Sequence, residues 1–248
     1  MSEFLQVLAL AALPALGNFA GGVLAEIFKI SNRTLSLALH AAAGIVLAVV
    51  GVEIMPEALT AQPPWVIVIA FFIGGMFFIA LDELIGLIRL RFDGEEKAGD
   101  EGGGNPWVIY AGVAVDLFSD GIMIGVGSTI AFGLALLLAL GQVSADIPEG
   151  FAIIATLKRK GIPRSKRILL SLAFAIPVLT GASLGYFIVR SQPEFFKLAL
   201  LTFTAGILTA VVVEEIVPAA HADGEARFAA LMLVGGFSLF TLLSVYLG

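Results

Sequence analysis

Apolar residues run in eight long blocks along the chain, at about 4–26, 35–58, 65–88, 106–131, 133–157, 168–189, 195–217 and 228–247. Short stretches rich in Gly, Pro and charge part them. Each block is long enough to cross a bilayer as a helix, which takes about 20 apolar residues. The runs are too long and too evenly apolar for the alternating segments of a membrane barrel. The pattern predicts an all-α, polytopic membrane protein of eight transmembrane helices. The first block opens at Phe4 without a basic lead-in and outruns a signal segment, so it is read as a retained helix.

Composition agrees, with 59% hydrophobic and 14% charged residues and a mean hydropathy of +1.01, outside the range of soluble proteins. Charge adds information through its placement. Twelve of the fourteen basic residues (Lys29, Arg33, Arg89, Arg91, Lys97, Lys158, Arg159, Lys160, Arg164, Lys166, Arg167 and Arg227) border one side of the helices, against Arg190 and Lys197 on the other. The positive-inside rule then puts both termini outside the cytoplasm, in a multi-pass protein of the plasma membrane. Cysteine is absent, which removes disulfides and thiolate ligands.

A repeat organises the blocks. "AGIVLAVVGVEIMPEA" from Ala43 and "AGILTAVVVEEIVPAA" from Ala205 are identical at ten of sixteen positions, at a constant offset of 162. Glu53 aligns with Glu215 and Pro56 with Pro218. "LPAL" from Leu13 aligns with "IPVL" from Ile176, and "GGMFF" from Gly74 with "GGFSL" from Gly235. Helices one to three thus recur as six to eight, with opposite topology, the inverted repeat found in transporters. The expected organisation is one transmembrane domain over 1–248: repeat one at 1–90, a central helix pair at 106–158 and repeat two at 165–248. A glycine-rich cytoplasmic linker covers 91–105.

The central pair carries the chemistry. Helix four contains "DLFSDG" from Asp116 and helix five "DIPEG" from Asp146, and superposing Ser119-Asp120-Gly121 on Pro148-Glu149-Gly150 makes them an inverted pair too. Asp116 and Asp120 share a helix face at i, i+4, as Asp146 and Glu149 do at i, i+3. All four fall near mid-span, where four ionised carboxylates would cost on the order of 10 kcal/mol. No Lys or Arg lies within either of these helices or in the interior of any other predicted span, so compensation must come from protons, water or a bound cation. Crowded like charges cannot all ionise without a cation, so binding one is coupled to proton release. Interior Pro148 frees a carbonyl as a further oxygen ligand, and Gln142, Ser144, Ser119 and Ser128 add polar groups. Glu53 falls toward the outer face, and Glu214 and Glu215 toward the inner one, where they would mark a cation path. His40 and His221 are read as solvated residues at cytoplasmic helix ends.

These features resemble the ZIP family of divalent metal transporters (Zrt- and Irt-like proteins) over essentially the whole chain. "DIPEG" is similar to the family's metal-binding HNIPEG or DIPEG motif, and by that resemblance Asp146 and Glu149 correspond to metal ligands. Helix four departs from HNxPEG: Asp116 takes the histidine position, Leu117 the asparagine, Ser119 the proline and Asp120 the glutamate. In helix six, Ile176 replaces a glutamate. Leu117 and Ile176 would sit at the second site of two-metal members, and neither can ligate. The resemblance thus leaves one transport site, with Asp116, Asp120 and Glu149 as ligands and Asp146 either ligating or holding water. An all-oxygen set suits harder ions such as Mn²⁺ better than an imidazole site would, while zinc also accepts oxygen.

The resulting expectation is transport of a divalent cation (zinc, manganese or iron class) into the cytoplasm by alternating access. The metal is cargo, with no permanent cofactor and no enzymatic activity. The partners are the lipid bilayer, a second copy in the homodimer that the resemblance implies, and no nucleic acid. A proton-coupled carrier of another solute, and a membrane protein that binds metal without moving it, are the alternatives.

Overall fold

The computed structural model describes residues 2–29, 31–93, 106–221 and 227–247. Among them stand eight helical rods. These are α1 (Glu3–Ile27), α2 (Asn32–Ala48, continued by Val49–Ile54 and Met55–Ala58), α3 (Pro64–Asp93), α4 (Pro106–Ser128) and α5 (Phe132–Arg159). There follow α6 (Arg164–Ala173 and Ala175–Val189), α7 (Glu194–Val211, continued by Val212–Ile216 and Val217–His221) and α8 (Ala229–Leu247). Seven of the rods are long and apolar enough to cross a membrane. The eighth, α4, has 23 residues and carries Asp116 and Asp120. Residues 94–105 of the expected linker lie outside the described residues, while 91–93 belong to α3.

Local chemistry sets the ends. Ser31 Oγ caps α2 by accepting the Thr34 N–H at 3.1 Å. α5 closes with Gly161 at φ +71°, and the Ile162 N–H returns to the Leu157 carbonyl at 3.1 Å. Only glycine takes that left-handed turn without strain. α6 starts at Arg164, ahead of the expected 168, because Arg167, Leu170 and Ser171 already form a buried face in its basic first turns. It then breaks at Phe174, one turn before Pro177. Proline cannot donate to the carbonyl four residues back, and that carbonyl, of Ala173, accepts instead from Tyr110 Oη of α4 at 3.0 Å.

The rods pack in pairs: α1 with α5, α4 with α6, α3 with α7 and α2 with α8. Glycines allow the closest approaches. A Cβ at Gly44 would stand 2.8 Å from the Leu233 carbonyl carbon, and one at Gly206 2.9 Å from that of Phe71. Gly74 meets Phe203 and Gly236 meets Ala41 in the same way, each at 2.9 Å. Each of these contacts maps onto another under the offset of 162 found in the sequence, which pairs Gly74 with Gly236, one residue beyond the Gly235 expected from the sequence alignment.

The rods differ in depth. α5 is mostly buried while α3 and α8 are mostly exposed, so α5 is central and the other two form the outer wall. Trp65, Phe72, Leu239 and Tyr246 are exposed on that wall, where lipid would cover them. The main apolar core, with Val46, Val49, Leu137, Leu138, Leu208 and Val211, lies among α2, α5 and α7.

Candidate functional site

The helical spacing of the four central acids sets their direction, and packing turns it inward. Asp116 is 4% exposed, Asp120 1% and Asp146 2%, while Glu149 is partly buried. They form one electrostatic neighbourhood. Asp116 lies within Coulombic reach of Asp120, Glu149, Glu215 and Asp146, and Glu149 within reach of Glu215 and Asp120. The structure therefore gathers the four expected acids from α4 and α5 and adds Glu215 from α7.

One hydrogen bond ties α4 to α5 inside this cluster: Gln142 Nε2 donates to Asp120 Oδ1. Acceptors still outnumber donors. Asp116 Oδ1, Asp120 Oδ2, Asp146 Oδ2, Gln142 Oε1 and Ser119 Oγ are all buried without a hydrogen-bond partner. A buried polar group left in that condition costs about 1–3 kcal/mol, and native interiors hold few of them. The arginine buried among the described residues, Arg167, is held by Glu26. A cation is the kind of group that would satisfy several such oxygens together. Among the described residues, however, no three His, Asp or Glu side chains converge as a finished metal cage.

The outer carboxylates stand on an unexpected feature. Val49–Ile54 and Val212–Ile216 are π-helical, with the Met55 N–H reaching back to the Val50 carbonyl and the Val217 N–H to that of Val212. Both wide turns precede a proline, Pro56 and Pro218, whose ring would crowd a regular helix. They coincide under the same offset of 162. Such turns recur at functional sites. Glu53 rides on the first, half-buried, with its Oε1 buried and unpartnered. On the second, Glu214 is exposed and lines a groove with Phe71, Phe72, Met76 and Thr209. Glu215, its neighbour, turns toward the central acids and toward Asp82 of α3.

Several expected residues fall elsewhere. Ser144 is exposed and its hydroxyl donates to its own helix at Leu140, 2.9 Å away. Ser128 likewise donates to Gly125. Of the two positions read as a lost second site, Leu117 is 0% exposed in an apolar cluster while Ile176 is 63% exposed. His221 is exposed as expected, but His40 is 3% exposed, well inside α2, and the reading of it as solvated is wrong.

Two residues were missed. Asn18 of α1 is 0% exposed with both amide atoms unpartnered, and a Cβ on Gly150, next to Glu149, would stand 2.8 Å from its carbonyl carbon. The signal was an amide in the middle of an apolar block. Asp82 sits late in block three, where a carboxylate reads as a helix end.

A family model described as "ZIP Zinc transporter" matches residues 103–244. The chain is 30% identical over 263 residues to a zinc transporter ZupT of Chlorobium phaeovibrioides (strain DSM 265 / 1930), covering 98% of each. It is 28% identical over 261 residues to a zinc transporter ZupT of Chlorobium luteolum (strain DSM 273 / BCRC 81028 / 2530), again covering 98% of each.

Proposed function

The chain belongs to the ZIP family of zinc transporters, and from that premise we propose how it handles its cargo. It is a multi-pass membrane protein that transports divalent metal cations, and the affinity points to a transporter rather than an enzyme. In our reading the ion approaches past Glu53 and is held in the neighbourhood of Asp116, Asp120, Asp146 and Glu149. Glu215 and Glu214 receive it on the cytoplasmic side. Gln142 positions Asp120, and Ser119 offers a further oxygen. Movement of one group of helices against the other alternates access, in a plasma membrane with both termini outside the cytoplasm and with the protein as a homodimer.

The observation that carries this reading is the set of buried carboxylate oxygens left without partners. Their chemistry fits a divalent ion, since each is an anionic or neutral oxygen and no basic group among the described residues is hydrogen-bonded to them. The all-oxygen donor set favours harder ions more than an imidazole set would, so Mn²⁺ or Fe²⁺ join zinc as cargo.

Uptake of Zn²⁺, Mn²⁺, Fe²⁺ and Cd²⁺ into proteoliposomes tests the reading. Metal-dependent flux that disappears in the Asp120→Ala, Glu149→Ala double variant is the expected result. Undiminished flux in that variant would remove the carboxylates from the path.

A further inference from the structure

His40 and His221 are the two histidines of the chain, and folding brings them together. Their ring centroids lie 4.7 Å apart, edge to face at 78°. His40 is 3% exposed in α2, and His221 is exposed at the end of α7. Each ring is fixed the same way: Nδ1 of His40 lies 2.7 Å from the Ser36 carbonyl and Nδ1 of His221 lies 2.8 Å from the Val217 carbonyl. A carbonyl only accepts, so both Nδ1 atoms carry hydrogen. In the neutral imidazole the lone pair then sits on Nε2. Nε2 of His40 is buried with no hydrogen-bond partner.

This is the arrangement in which proteins present imidazole to a metal, with the far nitrogen donating to a backbone carbonyl so that tautomer and ring direction are set beforehand. The pair also breaks the molecule's repeat. Under the offset of 162, His40 maps to Thr202, whose hydroxyl donates to Leu198, and His221 maps back to Leu59. Positions related by the repeat therefore differ in donor chemistry, imidazole nitrogen in one set and none in the other.

We propose that His40 and His221 form a second metal site, separate from the central carboxylates, in which the two Nε2 atoms hold a zinc-class ion and water fills its remaining positions. Among the described residues no Asp, Glu or further His completes a three-ligand set there. The site is therefore open and labile, suited to passing an ion on. It prefers borderline ions to hard ones, because nitrogen ligands select against Mg²⁺. Its use as the last stop of an inward-moving ion rests on the transport reading above; its existence does not.

With only two histidines, ¹⁵N-histidine labelling of the full-length protein in detergent gives a two-residue spectrum that reads the site directly. Zn²⁺ titration is expected to shift both Nε2 resonances along one saturation curve while both Nδ1 atoms stay protonated, and equal Mg²⁺ is expected to shift neither. His221→Gln, a change at an exposed position, should weaken the zinc response of His40 at least tenfold. The response should persist in an Asp120→Asn, Glu149→Gln protein, which separates it from the carboxylate site and from any failure of transport. A His40 signal unmoved by Zn²⁺, or moved equally in the His221→Gln protein, or lost with the carboxylates, overturns the proposal.

Discussion

Gln142 shows how much one buried side chain can be asked to do. Its amide nitrogen donates to Asp120, and its own Oε1 is buried without a donor. Replacing it with leucine keeps the volume and removes both functions. Gln142→Leu is expected to raise the KM for metal uptake by about 10- to 100-fold, the usual effect of losing a group that orients a ligand, with the folded yield little changed. Transport assays across a metal series check this. The central acids were legible in the sequence because a charge in a run fit for lipid demands an explanation. Asn18 was not, since one amide in such a run is common, and its significance depends on Gly150 letting α5 come close. Nor was His40, whose burial follows from packing that no local pattern records.

Among the helices, adjacent glycines make opposite predictions. A Cβ on Gly236 would stand 2.9 Å from the Ala41 carbonyl carbon, whereas nothing lies within 4 Å of one on Gly235. Gly235→Ala should stabilise the protein by about 0.5–1 kcal/mol through helix propensity. Gly236→Ala should destabilise it by about 1–3 kcal/mol through overpacking against α2. Thermal unfolding of the two variants in detergent separates these outcomes.

Arg167 joins α6 to Glu26 of α1 through two hydrogen bonds, with both side chains less than a tenth exposed. Arg167→Met leaves a buried carboxylate without its hydrogen-bonding partner and should cost about 3 kcal/mol, much of it recovered in the Glu26→Gln, Arg167→Met double variant. Arg164, also on Glu26 at 3.6 Å but 71% exposed, should matter little. Hydropathy located every rod to within a few residues because length and apolarity are what a membrane selects. It could not locate the π-turns or the break at Phe174, which come from prolines and the partners their carbonyls find.

The whole molecule carries its basic residues unevenly, and that imbalance predicts its orientation. Because the chain has no cysteine, single introduced thiols report their own location. Ser191→Cys should react with a membrane-impermeant maleimide on intact cells, and Lys166→Cys only after lysis, both positions being exposed. The reverse pattern would invert the topology and with it the direction of the cation path.

The paired π-turns bear on how this chain tolerates changes in its length. A π-turn holds one residue more than an α-helix needs, and each residue added to a helix rotates its C-terminal remainder by about 100°. Losing one residue inside Val49–Ile54, together with Pro56→Ala to allow a regular turn, should let α2 rejoin as plain α-helix with its two halves still in register. The same proline change with Ala43 deleted instead should turn every later side chain of α2 away from α8 and α5 and abolish folding. A scan of single-residue deletions along α2, read by the yield of folded protein, should therefore show one narrow window of acceptance around Gly51.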